Sequence, residues 1–196
     1  MKRRVLFATY FLLPVALLLP VLTPLGANVT GSKAIRQKFE QIKNRQAKPG
    51  SIVTLGEPEL NAYLNEESKA LAKEGIRNPK VNLASGKAIG SATVNFLKLK
   101  TASGEEPGWL LRQLLDGERK LDVTARLDSK AGRATVYLEK VAIDGIDVSG
   151  KPLDYLLNHY LKAYYPKAKV GEPFDLDYEI QRIDLKPETV AVVIAK

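Results

Sequence analysis

The clearest signal along the chain is the alternation between Lys120 and Asp128, where Leu121, Val123, Ala125 and Leu127 are separated by Asp122, Thr124 and Arg126. A strand presents successive side chains to opposite faces, so this stretch predicts a half-buried β-strand. In three other stretches the apolar parity changes partway. Ala88, Ala92, Val94 and Phe96 give way to Leu97 and Leu99. Ala134, Val136 and Leu138 give way to Val141 and Ile143, and Phe174, Leu176, Tyr178 and Ile180 to Ile183 and Leu185. A period of two changes phase only through an inserted residue or a bend. Bulges raise twist and curl a sheet, so the pattern predicts a strongly curved, mainly antiparallel β-sheet around an apolar interior.

Helical periodicity fills the intervals. Residues 32–47 predict a helix with Ser32 as N-cap and a narrow stripe of Ile35, Phe39 and Ile42. Pro49-Gly50 ends it, and residues 51–55 read as a short strand. Pro58 opens a second helix whose apolar side is Leu60, Tyr63, Leu64 and Leu71, ended by Gly75 and Pro79. Strands are expected at 80–84 and 87–99, joined by Ser85-Gly86, and a hairpin at 120–128 and 133–143. A polar loop from Thr101 to Gly108 precedes the apolar segment Trp109, Leu110, Leu111, Leu114 and Leu115. A third helix runs from Pro152 to about Tyr165, with Leu153, Leu156, Leu157, Tyr160, Leu161 and Tyr164 on one face. Two last strands are expected near 174–185 and 189–195. The order is α+β, two or three amphipathic helices packed on the sheet, with residues 49–196 as one α+β domain.

The N-terminus changes the picture of location. Lys2, Arg3 and Arg4 precede an apolar run from Val5 to Leu22 and then Leu25-Gly26-Ala27. That order of basic, apolar and small residues predicts a signal peptide over residues 1–27, cut after Ala27 or retained as an inner-membrane anchor. The expected location is periplasmic or secreted. Asn28-Val29-Thr30 also fits a glycosylation acceptor. The net charge of +8 is uneven. The leader and the basic helical segment 32–48, with Lys33, Arg36, Lys38, Lys43, Arg45 and Lys48 against Glu40, carry all of it. The body from Pro49 onward is electroneutral. Nucleic-acid binding needs basic residues along the fold itself, so that class is excluded. The basic helix is instead a candidate contact for an anionic membrane surface.

Candidate chemistry is sparse. The chain has one histidine and no cysteine, which removes Cys-His and multi-histidine metal chemistry as well as disulfides. His159 is expected on the polar side of its helix. Asp175, Asp177 and Glu179 alternate with apolar residues, predicting a row of carboxylates on one wet strand face, paired with Arg112, Arg119, Lys120 and Arg126. Glu67 falls at the centre of an apolar stripe, where it either reaches solvent or meets an internal basic partner or polar headgroup. No catalytic constellation, metal site or cofactor motif is assembled, and the reading is non-enzymatic; a carboxylate-dependent hydrolase acting through Glu67 or Asp177 is the enzymatic alternative.

The run Val53-Thr54-Leu55-Gly56-Glu57-Pro58-Glu59-Leu60-Asn61-Ala62-Tyr63-Leu64, the segment from Ala134 to Gly145 ending in Val141-Ala142-Ile143-Asp144-Gly145, and the helix from Pro152 resemble the tubular lipid-binding (BPI- and SMP-like) superfamily, particularly small exported bacterial single-domain members. The resemblance covers about three quarters of the chain at the level of pattern. It implies a long helix against a curled sheet, with acyl chains held between them, and phospholipid binding or transfer in the cell envelope. The candidate groove residues are Leu60, Tyr63, Leu64, Glu67, Trp109, Leu110, Leu114, Leu156, Leu157, Tyr160 and Tyr164, although the Trp109 segment and the basic helix at 32–48 have no counterpart in the resembling pattern. The competing expectation is an envelope scaffold or interaction module with a dry, packed core.

Overall fold

A computed structural model describes residues 30–99, 108–166 and 169–196. The leader, Asn28, most of the polar loop and the side chain of Leu110 lie outside the described residues. The helices are α1 (Thr30–Lys43), α2 (Glu57–Lys73), α3 (Trp109–Leu115) and α4. The last is composite: Gly150–Leu156 continues through a π-turn, Leu157–Leu161, into Lys162–Tyr164. The strands are β1 (Ile52–Gly56), β2 (Ile76–Ala84), β3 (Lys87–Asn95), β4 (Glu118–Lys130), β5 (Arg133–Ile143), β6 (Ile146–Asp147), β7 (Pro173–Asp175), β8 (Ile180–Lys186) and β9 (Thr189–Ile194). The fold is α+β, and every strand pairing among the described residues is antiparallel.

The strands form two sheets rather than one. The larger has the order β2-β3-β4-β5-β6, with β7 also on β5; the smaller is β1-β9-β8. β8 lies across the hairpin tips of the larger sheet. Its carbonyls at Leu185 and Gln181 accept the amides of Gly86 and Gly132, at 2.9 and 2.8 Å. Ser129 Oγ fastens the same strand, donating to the Ile183 carbonyl at 2.6 Å and accepting its amide at 2.7 Å. β9, the centre of the small sheet, is buried from Val190 to Ile194 on both faces, so its apolar run does not alternate.

The three parity changes have three different causes. In β5 the change is a bulge: Thr124 pairs with Lys140 but Ala125 with Leu138, leaving Glu139 extra. In β3 the expected bulge is absent. The strand stops at Asn95, and Phe96–Lys98 coil into a 3-10 turn that buries Phe96 and exposes Leu97. The third stretch is two strands in different sheets, separated at Tyr178 and Glu179, both at positive φ, with a further bulge between Ile180 and Arg182. A bulge absent from the sequence reading lies between Arg77 and Lys80, where Pro79 sits inside β2. The carboxylate row consequently does not form. Asp175 ends β7 against Arg133, Glu179 meets Arg45, and Arg119, Lys120 and Arg126 pair with Asp144, Asp122 and Asp128 instead.

α2 starts where the sequence placed it. Pro58 occupies the first turn, and the Glu59 carboxylate accepts the Gly56 amide at 2.9 Å. The helix also seals the open edge of β2. Asn61 bonds both the carbonyl and the amide of Val81, at 2.8 and 2.9 Å, and Glu57 accepts the Leu83 amide at 2.7 Å. A strand edge that would otherwise pair with another chain is thereby satisfied. Buried residues from Ile35 on α1 through Ile194 on β9 form one contiguous core.

Candidate functional site

The sequence-selected groove residues separate into two places. The first is the junction of α1 and α2. Leu60, Tyr63 and Leu64 are buried there, and so is Glu67, 8% exposed, so the stripe does not reach solvent. The partner is Arg36, whose guanidinium bonds the Glu67 carboxylate, lies 3.7 Å from Glu66 and sits 4.8 Å from the centre of the Tyr63 ring. Phe39 meets the edge of Tyr63 at 5.8 Å. One helix turn away Lys38 holds Glu59 at 2.7 Å. Burial, then the Glu67 charge, pushes the Tyr63 phenol up to about 12. Glu59 lies below the usual carboxylate range: its partial burial acts the other way, but the Lys38 ammonium and the Gly56 amide outweigh it. This junction is a clamp of ion pairs and packed rings. It also uses the apolar stripe of α1, because Ile35 and Ile42 are fully buried. α1 is therefore part of the core, not a helix free to lie in a bilayer.

The second place is a slot between α4 and one end of the large sheet. The helix contributes Leu153, Leu156, Leu157, Tyr160 and Leu161. The floor is Ile76, Val94, Leu121, Val123 and Val141, and Phe96, Leu99, Tyr164 and Tyr165 close the ends. No lining residue is charged. Leu156, Leu157, Tyr160 and Tyr164 thus meet in one site, as the helix stripe predicted, whereas Leu60, Tyr63, Leu64 and Glu67 are elsewhere. Leu114 is half-buried against the core outside the slot, and Trp109 is 78% exposed, which rules out core packing for it. The floor residues were legible only as inward-facing strand positions. Nothing in the sequence said which of those positions α4 would cover.

The free interior of the slot is about 40 Å³. That admits a few waters, whereas small-ligand pockets run to roughly 300–1,000 Å³. It is a narrow seam rather than a wide tube. α2 approaches β2 closely along its length, but α4 makes no comparable backbone approach to any strand and stands off on its side chains. Gly145, before α4, and Gly150, its first residue, are both at positive φ.

His159 is not on the surface. It is 7% exposed, its ring stacked 4.8 Å from Tyr155 and edge-on to Tyr160, also at 4.8 Å. The π-turn is the reason. The turn at Leu157–Leu161 departs from the constant 100° per residue that a projection assumes; Tyr160, Leu161 and Tyr164 still face the slot, while His159 is buried beside Tyr155. Burial pushes the Tyr160 phenol up to about 12, with Tyr155 adding to it, and burial raises Tyr165 further. Among the described residues no group of His, Asp and Glu side chains could hold a metal ion, and no helix is long and apolar enough to cross a membrane.

Comparison with family models, curated proteins and solved structures finds no match to this chain.

Proposed function

We propose that the protein is a non-enzymatic, exported carrier of the cell envelope that binds an acyl-chain lipid in the slot beneath α4. The observation that supports this reading is the uninterrupted apolar lining. Aliphatic and aromatic side chains from four strands and one helix face each other there without a charge between them. An acyl chain needs several times the present space, so loading requires α4 to lift. The standoff of α4 and the glycines at its N-terminal end are consistent with that movement, and the π-turn lies within its lining segment. The resemblance of residues 53–64, 134–145 and 152–164 to tubular lipid-binding proteins points the same way. The basic apolar leader supports export. Anionic lipid would meet the 32–48 segment through exposed Lys33 and Lys48, not by insertion of its buried stripe.

Native mass spectrometry of the gently purified chain tests the reading. The expected result is a co-purified or vesicle-acquired lipid adduct that Leu157→Trp, which fills the slot, abolishes. A lipid-free mass that persists after incubation with phospholipid vesicles would overturn it. The small volume of the slot favours a second reading, an envelope interaction module with a packed interior. Crosslinking in intact cells that recovers protein partners and no lipid would select that alternative.

A further inference from the structure

Three turns of the chain end on one rim of the large sheet. Register places them there: Ile76 pairs with Val94, Asn95 with Glu118, Leu121 with Ile143, and Ile143 with Ile146. The starts of β2 and β4, the ends of β3 and β5, and β6 therefore share an end, opposite the hairpin tips that β8 crosses. α4 begins two residues beyond Val148 at the same end, and the slot lies under it.

This rim exposes three large apolar side chains. Leu97, 72% exposed, projects from the 3-10 turn between Phe96 and Leu99, both of which line the slot. Trp109, 78% exposed, opens α3, the short helix that leads into the start of β4 at this end, and Ile146, 58% exposed, follows the β5–β6 turn. We propose that this rim is a bilayer-docking surface that brings the mouth of the slot to the lipid headgroups. The inference rests on the acyl-carrier reading in one respect only: it supplies the route by which cargo would reach the slot.

The form of the patch identifies its occupant. The three exposed side chains stand on separate elements, the 3-10 turn, the first residue of α3 and the first residue of β6, an arrangement suited to insertion among headgroups, where tryptophan is favoured because its ring is apolar and its N–H polar. A protein partner requires a flatter, contiguous, complementary face. The electrostatics agree with a neutral interface. Glu118, Asp144 and Asp147 on the rim are neutralised by Arg77, Arg119 and Lys140, at 2.9, 3.1 and 2.9 Å. Docking through this rim is therefore driven by apolar burial and is insensitive to salt, unlike an electrostatic contact through the basic 32–48 segment.

Trp109 is the only tryptophan, so its emission reports this rim alone, even when the leader anchors the chain. The full chain is reconstituted with phosphatidylcholine vesicles containing brominated lipid. The expected result is a blue-shifted Trp109 emission, quenched by bromine at shallow depth and unchanged by added salt. Leu97→Asp with Ile146→Asp, both on exposed positions, returns the emission to that of an aqueous tryptophan while circular dichroism is unaltered. Emission that stays red, open to an aqueous quencher and untouched by bromine overturns the proposal. So does shielding from both quenchers that grows with protein concentration, which marks a protein contact. Delivery of lipid from cyclodextrin separates the two readings. If the chain loads without vesicles while Trp109 stays in water, docking fails and the carrier stands. If Trp109 inserts but nothing loads, the carrier fails and docking stands.

Discussion

Removing Arg36 should destabilise the protein more than removing Glu67, although the two are partners in one ion pair. The structural reason is that Arg36 serves two carboxylates. Glu66 and Glu67 have side-chain exposures of 8% and 10%, and both face the same guanidinium. Arg36→Met leaves two nearly buried carboxylates with no counter-charge and removes the cation from the Tyr63 ring. Glu67→Met leaves Arg36 beside Glu66, with 32% of its side chain in water. Breaking a buried pair from one side costs about 3–5 kcal/mol. The partial exposure of Arg36 lowers that figure, giving about 3 kcal/mol for Arg36→Met and about 1 kcal/mol for Glu67→Met. In a chain of this size these correspond to a fall in Tm of roughly 9 °C and 3 °C. Urea unfolding followed by circular dichroism measures both costs. Equal costs for the two substitutions would refute the account of the junction.

Three further outcomes follow from the fold. Gly75 stands at φ +89°, and a Cβ there would lie 2.8 Å from both the Asn95 carbonyl oxygen and Lys98 Cβ, so Gly75→Ala should lower unfolding free energy by about 3 kcal/mol, measured in urea. Ser129→Ala removes both bonds to Ile183 and should cost about 1–2 kcal/mol, with faster hydrogen exchange at Ile183 than at the centre of β4. Tyr63 and Tyr160 hold their protons to about 12, whereas an unfolded tyrosine ionises near ~10. Because the folded value is the raised one, their contribution is intact below ~10 and lost as pH climbs toward 12. Tyrosinate absorbance should therefore rise in two phases, the second coinciding with loss of ellipticity; a single phase near the unperturbed value would contradict the burial.

The alternation of β4, the Pro58 start of α2 and the apolar stripe of α4 were legible because each depends on a local period that burial enforces residue by residue. The parity changes were legible as positions but not as structures. A phase shift is satisfied equally by a bulge at Glu139, a 3-10 turn at Phe96–Lys98 or a change of sheet at Tyr178-Glu179. Which one forms depends on the partner strand, which the local pattern does not contain. His159 was misplaced for a related reason, since helical projection assumes a constant turn and the π-turn at Leu157–Leu161 breaks it.

Sequence alone determined the α+β class, the antiparallel hairpins and the apolar stripes. It also determined the separation of a basic N-terminal region from an electroneutral body, because periodicity and charge are local properties. Only the tertiary structure decided that Glu67 answers Arg36, and that four of the chosen residues line a slot while four others form a clamp. It alone decided that Leu97, Trp109 and Ile146 share a rim. Those facts are contacts between residues distant along the chain, and they are fixed by strand register and helix packing, which no single segment encodes.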